Sequence, residues 1–340
     1  MALHDKNVGS RPIDKIRNSG GRMTLPEDAG GISEVCEIKG SLHLIGKNAI
    51  YRVQLADEID PQRTNIHIPN THQQVLSCGT ECRFVRQTLM TAKWLFNNNV
   101  LGSAFNYKSA INLSFEALQD FSAMHAAYED LSVKLNKIVE ELKNLAAKER
   151  TLTVPTAGDV RGLTESFLQK ADHVAIDLFN IAKLFYPDGI GQRWFQSLYD
   201  LIAKKYGSDD PFAKFMKQAL PFLQFVRNAR NAMEHPDAAK SVKVTDISLL
   251  PSGELNLPCI EILHLETPQP SVCLPTLLGY ITDELGSIFE SVVACLCGHN
   301  VQPFAGLQLW IIEHDENQQK AYKCRYGYGT RIGGQIVPFG

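Results

Sequence analysis

Arg230, Asn231 and His235, with Pro236 directly after them, place a guanidinium, an amide and an imidazole within six residues of an otherwise apolar stretch. A guanidinium holds oxyanions through a planar fork of N–H donors and never loses its charge. An imidazole titrates near about 6.5 and so moves protons at neutral pH. Together the two suit chemistry on a phosphate, with Asn231 able to orient either partner. Arg227 and Asn228 stand one three-residue step earlier and Lys217 further up the same stretch, which makes them the candidate substrate binders.

The elements that must position these groups follow from the spacing. Phe212, Phe215, Met216, Ala219, Leu220, Leu223 and Val226 recur at helical intervals, so the motif occupies the last turns of an amphipathic helix. Residues three and four apart share a face, which aligns Arg227, Arg230 and Glu234 in one stripe and Asn228, Asn231 and His235 in another. On an unbroken helix Arg230 and His235 would point about 140° apart at roughly 100° per residue, too far to meet on one phosphate. Pro236 pushes the residue before it out of the α region. The helix should therefore end at His235; that turn, or a second copy of the chain, brings Arg and His together.

The pattern Arg-Asn-x-x-x-His at the end of an amphipathic helix resembles the HEPN superfamily. These are all-helical domains of toxin-antitoxin systems, abortive-infection and CRISPR-linked ribonucleases, and RNA-processing factors. The resemblance covers the motif and a helical core of roughly residues 84–236, and neither end of the chain. It implies that Arg230, Asn231 and His235 are catalytic and that two motifs face each other across a dimer. Since one motif is present, a homodimer or a partner chain is expected. The implied activity is metal-independent RNA cleavage in phage defence or as a toxin, with RNA as substrate, no cofactor, and a neutralising or activating protein as a further partner.

RNA carries its own nucleophile in the 2′-hydroxyl. The enzyme has only to remove that proton, protonate the leaving 5′-oxygen and stabilise the phosphorane, giving a 2′,3′-cyclic phosphate and a 5′-hydroxyl. His235 suits the proton transfers, worth about 10²- to 10⁴-fold for a well-placed group, and Arg230 the charge. Glu234 leaves two readings open, fixing the arginines by pairing with them or repelling the phosphate. A helix-end network is the structural alternative for the whole motif, because cations are favoured near a helix C-terminus. A non-catalytic dimeric scaffold of the same fold is the corresponding alternative in function.

Composition limits other classes. Of 340 residues, 44% are hydrophobic and 21% charged, the balance of a globular protein, and no apolar run is long enough for a membrane span. Residues 1–22 lack the apolar segment of a secretory signal, which makes the cytoplasm the expected location. A net charge of −3 argues against a generic nucleic-acid coat, yet residues 201–240 carry three more positive than negative charges. Eight cysteines without an export signal read as reduced thiols. Cys78 with Cys82, and Cys295, Cys297 and His299, with His67 and His72 of a polar loop, form a third hypothesis, a metal centre. The two cysteine groups lie more than 200 residues apart and the second falls in an apolar helix, so no metal is expected.

Three regions result. Residues 1–83 are irregular with short strands around Leu42–Ile45 and Ile50–Val53 and a polar loop from Asp60 to Gln74. Residues 84–240 hold the helices: Phe84–Asn97; a seam of Phe121, Met124, Tyr128, Leu131, Leu135, Ile138, Leu142 and Leu145; Leu163–Phe185; a short one from Trp194; and the motif helix. Residues 241–340 are α+β, with a hairpin of Val242–Ile247 and Ile260–Leu265, a helix from Leu274 to Cys297, and strands Leu307–Ile312 and Tyr322–Tyr326. The expected fold class is mainly α, a HEPN-like helical bundle with an irregular/β N-terminal region and an α+β C-terminal region. No phosphate-binding glycine loop or Ser-His-Asp arrangement supports nucleotide hydrolysis or acyl transfer.

Overall fold

A computed structural model describes residues 11–19, 25–143 and 153–339, without the side chains of 141–143. About half of the chain is helical and the rest is carried by several small antiparallel sheets, so the class is mixed α/β. Two compact units divide it, residues 1–83 and 84–340.

The first unit is an antiparallel meander of β1 (Ile32–Ile38), β2 (Ser41–Gly46), β3 (Ile50–Gln54) and β4 (Thr71–Leu76). Ala29, Leu44, Ala49, Tyr51 and Val53 form its core. Gly79 has to be glycine, since a Cβ there would lie 2.3 Å from the Gly46 carbonyl oxygen. The expected loop through Gln74 is in part the strand β4. Its first four side chains are exposed, as an edge strand allows, so it lacks the apolar alternation that marks a half-buried strand.

Five short helices come first in the chain, α1 (Pro12–Arg17), α2 (Ala56–Ile59), α3 (Arg83–Val85), α4 (Thr91–Leu95) and α5 (Asn98–Leu101), and the second unit is built on four long ones, α6 (Tyr107–Lys143), α7 (Val160–Phe185), α9 (Pro211–Glu234) and α10 (Leu274–Asn300). The pair α6 and α7 is the most extensive, α10 packs on both, and α9 packs on α7, α10 and the shorter α8 (Trp194–Tyr206). Phe121, Met124, Leu131 and Leu135 of α6, Phe167, Val174 and Leu178 of α7, and Leu278, Ile281, Leu285 and Phe289 of α10 are buried. The heptad-like seam is thus used within this unit, against α7. Its burial fades along the helix: Ile138 is half-buried, and Leu142 and Leu145 lie outside the described side chains.

Residues 241–340 do not stand apart as the sequence suggested, because α10 supplies one wall of the helical core. The hairpin strands Ser241–Thr245 and Cys259–Leu263 pair antiparallel, and a third strand, Gln269–Cys273, joins them. That third strand carries Pro270 and exposed side chains on an edge, which hid it. The strand expected over Tyr322–Tyr326 is corrected as well. Asp315 and Gln318 form a capping box that opens a short helix, Glu316–Tyr322, and the strand begins at Tyr326. Gly333 and Gly334 then turn it back on the last strand with φ of 58° and 88°, the left-handed pair that a two-residue hairpin turn requires.

The first turn of α9, the motif helix, is fixed by Asp210, whose carboxylate accepts from the N–H groups of Phe212 (2.9 Å) and Ala213 (3.2 Å). Its other oxygen lies 3.0 Å from His299 Nε2. Burial pushes the Asp210 carboxyl up, but the His299 ring and the two N–H groups outweigh it and hold the group below the usual carboxylate range. An acid with a depressed folded-state pKa stabilises the fold above its unfolded value and loses that contribution as pH falls through the folded one. Asp210→Ala should cost about 0.5–2 kcal/mol at neutral pH, the usual worth of an N-cap. In thermal unfolding the gap to wild type should shrink on acidification; a gap independent of pH would mean that the carboxylate is not what caps the helix.

Candidate active site at the end of the motif helix

Helix α9 ends at Glu234, and His235 leaves the helical region with φ −130° and ψ 63° while its N–H still bonds the Asn231 carbonyl at 2.9 Å. Pro236 explains the break. The turn sets the His235 side chain out into solvent, 71% exposed. Its Nε2 stands 3.8 Å from Glu234 Oε2, and the same oxygen is 2.9 Å from Arg230 Nη2. The helix end therefore brings the cation and the imidazole to one carboxylate oxygen.

Arg230 is partly buried and its nitrogens all face internal acceptors. Nη1 donates to Asn231 Oδ1 at 3.0 Å, Nη2 meets Glu234, and Nε lies 3.9 Å from Asp172 Oδ2. Glu234 is held from behind as well, accepting at Oε1 from Gln169 Nε2 at 2.9 Å. Gln169 and Asp172 come from α7, one turn apart on the face that packs on α9. Asp172 is the buried member, with a side chain only 6% exposed. Burial pushes its carboxyl above the usual range; Arg230, Arg227 and His173 pull it down and Glu234 pushes it up. Of the two readings of Glu234, pairing with an arginine is the one realised, with Arg230 alone.

The other expected binders go elsewhere. Arg227 stacks its Cζ 4.8 Å above the Trp194 ring, a cation–π contact worth about 0.5–2 kcal/mol. Trp194 itself opens α8 at a φ of 51°, unusual for a bulky side chain. Asn228 is buried and donates to Thr267 Oγ1 at 3.2 Å, so it ties α9 to the loop before the third hairpin strand. Lys217 is exposed but thirteen residues up the helix, about 20 Å from Arg230 along the axis. Arg230, Asn231 and His235 are brought together; Arg227, Asn228 and Lys217 are not brought to them. Two of the seven positive charges of residues 201–240 also pair locally, Lys214 with Asp209 at 3.0 Å and Lys240 with Asp237 at 3.9 Å.

The imidazole nearest the cysteine pair of the metal hypothesis is otherwise engaged. His299 uses Nδ1 on the Cys295 carbonyl and Nε2 on Asp210, both at 3.0 Å. Burial pushes the Cys295 thiol up to about 12 and Cys297 higher still. His67 and His72 are exposed, and His72, in β4, lies edge-on to Tyr51 of β3. Among the described residues no group of three or more His, Cys, Asp and Glu is arranged to hold a metal ion. A groove of about 520 Å³ is lined by Glu116, Asp120, Lys170, His173 and Asp177. With three acids against one permanent base, it suits a polyanion poorly.

Two residues of this site were missed in the sequence, Gln169 and Asp172. Asp172 left a signal: it falls on the row Leu168, Asp172, Ala175, Phe179, spaced four, three and four apart and buried throughout. A carboxylate in an apolar row of that kind needs a cationic partner from another element. Comparison of the chain with family models, curated proteins and solved structures finds no match.

Proposed function

We propose that this chain is a metal-independent endoribonuclease of the HEPN type, its helical unit a variant of that bundle carrying extra small sheets. The observation that carries the reading is the helix end itself. An exposed imidazole, His235, shares a carboxylate oxygen with a cation, Arg230, whose position is set from three sides. That is a proton carrier beside a phosphate ligand. The 2′-hydroxyl attacks phosphorus and the 5′-oxygen departs. One imidazole takes the 2′-proton, a second protonates the 5′-oxygen, and the guanidinium offsets charge on the phosphorane.

Two imidazoles require two motifs, so the active species is a homodimer with the His235 residues facing each other. Defence against phage or action as a toxin held by a neutralising protein is the setting the motif resemblance suggests, in the cytoplasm. Among the described residues no helix is long and apolar enough to cross a membrane. Replacing the ribose 2′-hydroxyl by hydrogen at the scissile nucleotide should stop cleavage there and leave neighbouring sites cut; cutting that ignores this change would rule out 2′-hydroxyl attack. Light scattering at micromolar concentration should give twice the 37.9 kDa of one chain. A strict monomer, with no partner chain recovered from cells, would contradict a composite site.

The second reading, a non-catalytic scaffold, is favoured by one observation. The internal partners of Arg230 already occupy the donors a phosphate would need. Under the enzyme reading, phosphate has to displace Glu234.

A further inference from the structure

The buried end of Arg230 is left unfinished. Nε and Asp172 Oδ1 are both buried and neither has a hydrogen-bond partner among the described residues. The two groups nevertheless face each other, Nε standing 3.9 Å from Asp172 Oδ2. A closure of about 1 Å would turn that ion pair into an N–H···O bond of normal length. Buried polar groups are nearly always satisfied, and an exception calls for a reason. Catalytic hydrogen bonds that are long in the free enzyme commonly tighten when substrate binds.

We propose that Asp172 is the positioning residue for Arg230, anchoring Nε while a phosphate oxygen of the RNA replaces Glu234 on Nη2. The proposal rests on the ribonuclease reading and adds to it a residue on a different helix from the motif. The geometry gives each carboxylate a separate task. Glu234, 14% exposed against 6% for Asp172, is the more accessible of the two carboxylates and lies beside the exposed His235, so it is the one for an incoming phosphate to displace. Asp172 sits behind, too buried to be displaced by a substrate. As Nη2 exchanges its partner, the guanidinium turns about its inner edge and closes on Asp172. The fork then points at the phosphate in one orientation only.

Asp172→Asn tests this, being equal in shape and lacking the charge. Removing a negative charge beside Arg230 strengthens the local positive field, so charge alone makes RNA bind at least as tightly, with KM unchanged or lower. Loss of the anchor leaves the guanidinium free to turn, and kcat should fall about 10- to 100-fold. Only a positioning role gives these opposite signs together. If kcat is unchanged or rises in a folded Asp172→Asn protein, Asp172 does not position Arg230. A second readout needs no activity. The Arg230 Nε–H signal in a nitrogen–proton NMR spectrum, assigned with Arg230→Lys, should shift when a non-cleavable 2′-deoxy oligonucleotide is added to wild type. In Asp172→Asn that shift should be lost. The same shift in both proteins would overturn the proposal even if RNA is cut. Absence of wild-type cleavage would remove the ribonuclease reading instead, and the NMR comparison would still decide whether Asp172 anchors Arg230.

Discussion

His235→Ala should abolish RNA cleavage and leave stability and oligomeric state nearly unchanged. The side chain is 71% exposed, its ring nitrogen is 3.8 Å from the nearest carboxylate, and it fills no core position. Truncating it removes a proton carrier and little else; the expected loss is about 10²- to 10⁴-fold, and more if both proton transfers fail. Arg230→Ala should abolish cleavage as well, but it is the less clean experiment. The motif alone suggests that neither residue bears on stability, and the structure corrects this for Arg230. Its removal strips Asp172 and Glu234 of their shared cation and leaves a buried carboxylate uncompensated, a change that costs about 3–5 kcal/mol when a buried pair is broken from one side. Arg230→Lys keeps a charge in place and should still be impaired, because a single ammonium replaces a fork. Cleavage kinetics and thermal unfolding on the same preparations separate the two effects. Full activity in the His235→Ala protein would place the chemistry elsewhere in the chain.

A loss of stability of the same size is expected at Phe167, with no ion pair involved. It is almost fully buried on α7, the helix that also carries Gln169 and Asp172. Phe167→Ala should cost about 3–5 kcal/mol, the usual range for an aromatic core truncation, part of it from the cavity left behind. Leu135→Ala, in the seam of α6, should cost about 2–5 kcal/mol. Ile138→Ala should cost less than Leu135→Ala, since that side chain is only half-buried. Denaturant unfolding of the three variants checks the order. A loss below about 0.5 kcal/mol at Phe167 would mean that the α6–α7 packing described is not what holds the unit together.

What the sequence carried of this fold was set by periodicity. Apolar residues three and four apart located α7, α9 and the part of α6 from Phe121 on, a mostly apolar run located α10, and Pro236 located the end of the motif helix to the residue. The strands Thr71–Leu76 and Gln269–Cys273 escaped because they lie at sheet edges, where the main chain pairs on one side and the side chains stay polar. A single capping box, Asp315 with Gln318, puts a short helix where a polar turn was expected and moves the following strand to Tyr326. The candidate site was legible only as far as one helix can be. Arg230, Asn231 and His235 share α9 and its end, and spacing found them. Asp172 and Gln169 reach them across the packing of α7 on α9, a register that no spacing within one helix encodes. The same limit explains why Arg227 and Asn228 looked like binders: the Trp194 ring and the Thr267 hydroxyl that engage them come from distant segments.

On the function proposed, His235 and Arg230 cut RNA without a metal. Incubating the purified protein with total RNA in excess EDTA, beside the His235→Ala protein from a parallel preparation, tests it most directly. The wild type should shorten the RNA, leaving 2′,3′-cyclic phosphate and 5′-hydroxyl ends, and the variant should leave it intact. Intact RNA with both proteins, or equal cutting by both, would contradict it.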